Sequence, residues 1–246
     1  MLLILFFQLF FTLVTILSIW LLYKKNRDRI IDLKKRLYSL PINQKKNESL
    51  LALYSTLKLK APINHFNGFV ASPDFLHEIV RQILLLKPHF ILELGSGVSS
   101  IIIGNTLKKN GFGKLVSIEH LKSEYQKTNN EIKLHKLEEV CECIYSPLTQ
   151  KKINDKFYNW YSIDYSYLET KIDMLIVDGP PTGTSKQESR FPALPCLKKY
   201  LKDDYLILVD DSDRLDEIKM LNQWKRLYPE IRIEYMNLDR GLALIK

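Results

Sequence analysis

Glu93-Leu94-Gly95-Ser96-Gly97-Val98-Ser99-Ser100 decides how the rest of this 246-residue chain is read. The apolar run Phe90 to Leu94 leads into it, and Val98 to Lys108 leaves it with helical spacing. Gly95 lets the chain turn sharply, and Gly97 lets a ligand approach the backbone. The N–H groups opening the next helix suit a polar or anionic group. The following apolar run, Lys114 to Glu119, closes on an acid 22 residues beyond Gly97. An acid there can accept both hydroxyls of a ribose. This pattern points to a nucleoside cofactor; the alternative is a plain glycine turn with a solvent-facing Glu119.

Outward from this stretch, short apolar runs alternate with helical periods. Strands are expected at Phe90–Leu94, Lys114–Glu119, Val140–Tyr145, Ile172–Val177, Tyr205–Val209, Ile231–Tyr235 and Leu242–Ile245. Helices are expected at Leu50–Leu59, from Ser72-Pro73-Asp74 to Leu86, and at Val98–Lys108, Leu121–Leu137, Phe191–Leu201 and Asp213–Tyr228. Ser72 stands at a cap position with Pro and an acid just inside the helix. Near-continuous apolar strands alternating with helices imply a doubly wound, mostly parallel sheet of seven strands in an α/β fold. The last two strands are too close for a crossover helix, so they form a C-terminal antiparallel hairpin.

A dinucleotide fold reads G-x-G-x-x-G, whereas Ser100 occupies the third position here. The acid ahead of the loop, Glu93, can orient it and sit near a cationic methionine moiety. With the final hairpin, these features make the stretch Phe66–Ile245 resemble class I S-adenosylmethionine-dependent methyltransferases. The resemblance is to a bacterial-type group carrying ELGSGVS (Glu93–Ser99), VDGPP (Val177–Pro181), Arg190-Phe191-Pro192-Ala193-Leu194 and Asp210-Asp211-Ser212-Asp213-Arg214. It implies S-adenosyl-L-methionine as cofactor, held by Glu93, Gly95, Ser96, Gly97, Ser99 and Glu119. It also implies an adenine contact at Ser146 and a segment from Phe66 to Phe75 packed over the cofactor.

Asp178, Asp210 and Asp211 follow strand ends, so they should converge with Glu93 and Glu119 on one rim. Asp178 and Asp210 are the candidate catalytic residues. Asp178 can act as a metal-free base, or Asp178, Asp210 and Asp211 could bind Mg²⁺ through oxygen. The latter resembles the triad of catechol-type O-methyltransferases, although that family has Asp-Asn where this chain has Asp210-Asp211. Asp211 and Asp213 can equally serve as cap and first-turn acids of the next helix. In Asp178-Gly179-Pro180-Pro181, Gly179 and the missing aromatic set the chain apart from the N-P-P-Y motif of amino-group methyltransferases. Gly179–Ser189 reads as a mobile substrate loop, with Arg190 holding a carboxylate or phosphate or lying on the surface. The aromatic patch of Tyr158, Trp160, Tyr161, Tyr165 and Tyr167 can stack on a ring or pack an insertion. His120 reads as structural.

Residues 1–23 carry no charge and as a helix would span about 34 Å, against ~30 Å of hydrocarbon. No basic residue precedes the run and no small-x-small site follows it, so an uncleaved anchor is expected rather than a signal peptide. Of the net charge of +8, residues 24–46 supply +7 and the last 200 residues only +1. The basic flank places the C-terminal side in the cytoplasm and argues against nucleic acid as partner. Ile30, Leu33, Leu37 and Leu40 make a short amphipathic stripe, which can lie on anionic lipid, pair with another chain or be a solvated stalk. Pro41 and Asn43–Asn47 read as a hinge. Cys141, Cys143 and Cys196 read as reduced thiols. The expected organisation is an anchor at 1–23, a basic stalk at 24–48 and a methyltransferase domain at 49–246. The expected function is methylation of a hydroxyl on a small molecule, sugar or lipid-linked glycan. The alternatives are an NAD-dependent oxidoreductase or a non-enzymatic membrane-tethered scaffold.

Overall fold

The computed structural model describes residues 2–63, 71–165, 170–186 and 188–246. Phe66–Val70, expected over the cofactor, and Tyr167 of the aromatic patch lie outside the described residues. The chain divides into two compact units, Met1–Lys45 and Lys46–Lys246.

The first unit lies within helix α1, Leu2–Thr56. Within its stretch Ile4–Lys34 an 18-residue window reaches a mean hydropathy of 2.3, and no part of that window is buried. It is the one described helix long and apolar enough to cross a membrane. Helix α1 runs through the expected hinge at Pro41 and Asn43–Asn47 and absorbs the separate helix expected at Leu50–Leu59, while the boundary between the two units falls within that hinge stretch. A proline removes one amide donor, and the flanking turns carry the helix past it.

The second unit contains α2 (Pro73–Leu86), β1 (Phe90–Leu94), α3 (Val98–Asn110), β2 (Lys114–Glu119), α4 (Lys122–Leu134) and β3 (Cys141–Tyr145). Then come β4 (Leu148–Ile153), β5 (Lys156–Tyr161), β6 (Ile172–Val177), α5 (Ala193–Leu197), β7 (Leu201–Asp210), α6 (Leu215–Leu227), β8 (Ile233–Met236) and β9 (Leu242–Ile245). Seven strands form one sheet in the order β3-β2-β1-β6-β7-β9-β8. The first five are parallel, and β9 runs antiparallel to both β7 and β8.

Period-two alternation explains why the strands are apolar on both faces. Ile91, Met174, Ile176, Leu206 and Leu208 pack into one core layer with Phe75, Ile79 and Ile102 of α2 and α3. Leu92, Leu94, Leu175, Val177, Ile207 and Val209 pack into the other with Leu221 and Trp224 of α6. The strand order reverses between β1 and β6, which opens the crevice at their C-terminal ends.

Three local expectations are revised. Ser72 holds the N-cap position of α2, but its hydroxyl donates to Asp74 Oδ1 at 2.6 Å and makes no capping bond to a helix N–H. The helix expected at Phe191–Leu201 shrinks to α5 and a 3₁₀ turn at Lys198–Tyr200, because Pro192 and Pro195 remove amide donors. The aromatic insertion proves to be an antiparallel hairpin, β4–β5. It turns at Asn154 and Asp155, both with positive φ (47° and 64°).

Candidate active site

The glycine loop rises from β1 and is tied down from beneath. Glu93 Oε2 accepts hydrogen bonds from Ser100 Oγ at 2.5 Å and Ser117 Oγ at 2.6 Å. Ser100 Oγ in turn accepts from the Gly97 N–H at 3.2 Å. Burial pushes the Glu93 carboxyl up, while the hydroxyls of Ser100, Ser117 and Ser99 oppose the shift. Glu93 is fully buried, so the expectation that it joins the rim is corrected: it stands below the loop and fixes its shape.

Gly95 has φ 92°, a left-handed conformation that disfavours any side chain. A β-carbon on Gly95 would lie 3.3 Å from the backbone carbon of Asp178. One on Gly179 would lie 3.0 Å from Gly95 Cα and 2.5 Å from Tyr161 Oη. The loops after β1 and β6 therefore meet backbone to backbone.

Glu119, at the end of β2, reaches this loop. Its Oε2 accepts from the Ser96 N–H at 3.1 Å, and its Oε1 from the Leu121 N–H at 2.8 Å. His120 Nδ1 stands 3.0 Å from Oε1, consistent with the structural role expected for it. Burial raises the Glu119 pKa, but the donors His120, Leu121 and Ser96 outweigh it and hold the carboxyl below its ordinary value. Ser146, just past β3, is buried; its N–H donates to Glu119 O at 2.8 Å, and its Oγ has no hydrogen-bond partner among the described residues.

Asp178, Asp210 and Asp211 do converge: each offers an oxygen within 4.8 Å of the others. Guanidinium groups stand against all three. Arg190 Nη2 is 3.4 Å from Asp178 Oδ1 and 3.1 Å from Asp211 Oδ2. Arg240 is 3.3 Å from Asp211 Oδ1 and 3.8 Å from Asp210 Oδ2, and Arg214 is 2.9 Å from Asp211 Oδ2. Mg²⁺ requires near-octahedral oxygen at 2.0–2.1 Å. A carboxylate cluster already facing cationic nitrogens at these distances fits guanidinium compensation better than a Mg²⁺ cage.

Arg190 is corrected most. It is neither on the surface nor held out toward a ligand, but 3% exposed. It donates to Asp210 O and Asp178 O, each at 2.9 Å, and so joins the ends of β7 and β6. Asp211 and Asp213 do not cap α6; Arg214 takes the cap position, and Asp216 and Glu217 lie in the first turn. Burial lifts the Asp178 carboxyl to about 7, with Asp211 and Glu93 adding to the rise and Arg190 and Arg240 opposing it. Burial also raises Asp210, reinforced by Asp178 and Asp211. Asp178 differs in access: its side chain keeps 18% exposure against 2% for Asp210.

Two participants were not foreseen, and a third, Tyr161, was expected only as part of an aromatic patch. Arg240 comes from the turn before β9 and Glu217 from α6, where Nε of Arg190 lies 3.6 Å from Glu217 Oε1. Nothing local in the sequence marks either one. Tyr161 ends the overlooked hairpin, which Asn154-Asp155 between alternating runs could have announced.

Residues 92–212 match the family model described as a methyltransferase domain. The fold also resembles solved structures at low identity. The S-adenosylhomocysteine-bound methyltransferase PaMTH1 of Podospora anserina is 15% identical, with a TM-score of 0.53 over 72% of this chain and 80% of that one. The O-methyltransferase of Bacillus cereus in complex with S-adenosylhomocysteine is 12% identical, with a TM-score of 0.51 over 84% and 91%. TomG of Streptomyces achromogenes, an O-methyltransferase in tomaymycin synthesis, is 14% identical, with a TM-score of 0.52 over 87% and 95%. A search of curated proteins returns no match. The sheet order and the matched domain identify the second unit as a class I S-adenosylmethionine-dependent methyltransferase.

Proposed function

We propose that the chain is a membrane-anchored O-methyltransferase acting on a hydroxyl of a small molecule, sugar or lipid-linked glycan. The observation that carries the cofactor assignment is the 3.1 Å hydrogen bond from the Ser96 N–H to Glu119 Oε2. It places a glycine turn and a strand-end acid side by side, as a ribose requires. Gly95, Ser96, Gly97 and Ser99 would line the methionyl end, Glu119 the ribose and Ser146 the adenine. Glu93 holds the loop from below.

S-adenosylmethionine supplies a methyl group already activated on sulfonium, so the protein must align the acceptor and remove its proton. Asp178 is the partly accessible acid of the cluster, and its raised pKa suits a base working near neutrality. It would take the proton of the acceptor hydroxyl as that oxygen receives the methyl group, leaving S-adenosylhomocysteine as the other product. Asp210, almost wholly buried and with its carboxyl raised by burial and by Asp178 and Asp211, would complete the acidic cluster beside Asp178.

Residues 1–23 would hold the enzyme in a membrane with the catalytic unit on the cytoplasmic side, near membrane-borne acceptors. That reading rests on the apolar stretch Ile4–Lys34 and on the basic residues from Lys24 onward. Calorimetric titration of the full chain in detergent tests the function. Binding of S-adenosylhomocysteine but not NAD is expected, and the reverse would return the oxidoreductase reading. Absence of turnover on any hydroxyl acceptor, despite cofactor binding, would favour a scaffold.

A further inference from the structure

The β4–β5 hairpin adds nothing to the seven-stranded sheet, yet both its ends are fixed at the crevice. Leu148, two residues past Ser146, pairs with Tyr161, and the Ser162 N–H donates to Pro147 O at 3.0 Å. The hairpin thus leaves the end of β3 and returns its last residue to the same place. Tyr161 is 2% exposed, and its Oη has no hydrogen-bond partner among the described residues. Buried hydroxyls are ordinarily satisfied, and one left open at a ligand crevice marks a place where a ligand atom belongs. Burial, with the charge of Glu119, keeps the phenol protonated and therefore a donor.

The position of this hydroxyl selects the ligand. Tyr161 Oη lies over Gly179 where that residue meets Gly95, at the junction of the β1 and β6 ends. Glu119, the acid suited to ribose, belongs to β2, one strand further out. A cofactor extended from β2 past the glycine loop brings its amino-acid end to the β1–β6 junction. Gly179 is the residue that makes room, since a β-carbon there would stand 2.5 Å from Oη.

We propose that Tyr161 is a cofactor-positioning residue whose hydroxyl, delivered by the hairpin, donates a hydrogen bond to the methionyl half of S-adenosylmethionine. This rests on the methyltransferase reading of the crevice. The test compares S-adenosylhomocysteine and adenosine binding to the full chain in detergent, wild type against Tyr161→Phe. Loss of one hydrogen bond should weaken S-adenosylhomocysteine about tenfold and leave adenosine nearly unchanged. An unchanged or tightened S-adenosylhomocysteine affinity, or an equal loss for adenosine, would overturn the proposal. Failure of the wild type to bind S-adenosylhomocysteine would sink the underlying reading first, and shows before any substitution is made. If Tyr161→Phe does not fold, 3-fluorotyrosine at this position in the wild-type chain carries the test. Its fluorine resonance should move with S-adenosylhomocysteine and not with adenosine; a resonance unmoved by S-adenosylhomocysteine overturns the assignment.

Discussion

The main-chain N–H of Ser96 donates to Glu119 Oε2 across 3.1 Å, joining the glycine turn after β1 to the acid that ends β2. Glu119 holds the loop, and under the proposed function it would also accept the ribose hydroxyls. Glu119→Ala should weaken S-adenosylhomocysteine binding by about 1–3 kcal/mol. Calorimetry on the full chain measures it, and an affinity equal to that of wild type would remove Glu119 from the ribose role.

As the proposed base, Asp178 would set the pH dependence. With its carboxyl raised to about 7, the base form accumulates as pH rises, so kcat/KM should climb through that region. In Asp178→Asn the limb should vanish and the rate should fall by about 10²-fold or more. Stability runs the other way. The folded chain holds the proton more tightly than the unfolded one, so this contribution is present below about pH 4 and declines as pH rises through about 7. A pH–rate profile without a limb near neutrality would argue for a different base.

Since guanidinium groups face all three aspartates, chelation should leave turnover intact. Dialysis against EDTA followed by an activity assay checks this. Activity that disappears and returns only with Mg²⁺ would mean that a metal shares the cluster.

Arg190 should matter mainly for folding. It bridges the ends of β6 and β7 and stands against Asp178, Asp211 and Glu217. Its removal strands buried acids, so Arg190→Ala should destabilise the domain by about 3–5 kcal/mol. Denaturant unfolding measures the loss; a midpoint unchanged from wild type would contradict the bridging role.

The anchor has a direct assay. The full chain should remain in the membrane pellet after an alkaline wash, and deletion of residues 2–23 should release it. A mature protein whose mass begins beyond residue 23 would instead mark a cleaved leader.

The sheet was legible because its strands obey a simple period: buried on both faces, they read as unbroken apolar runs. Lys114–Glu119, Ile172–Val177 and Leu242–Ile245 fall where that period puts them. The hairpin escaped notice because Tyr158, Trp160 and Tyr161 draw attention as an aromatic cluster, while β4 is mostly exposed polar residues. The glycine loop and its acids could be read locally. Arg190 could not, because its partners lie on three other elements and only the closed sheet brings them within reach. Pro41 and the polar run Asn43–Asn47 suggested an interruption, yet a long helix outlasts one missing donor.

Gly95 and Gly179 meet with no side chain between them. There is no soft layer to take up motion, so a shift in one turn is passed to the peptide that carries Asp178. Under the proposed function, such rigid coupling would favour a compulsory order in which the donor enters first and the acceptor then finds its proton sink in register.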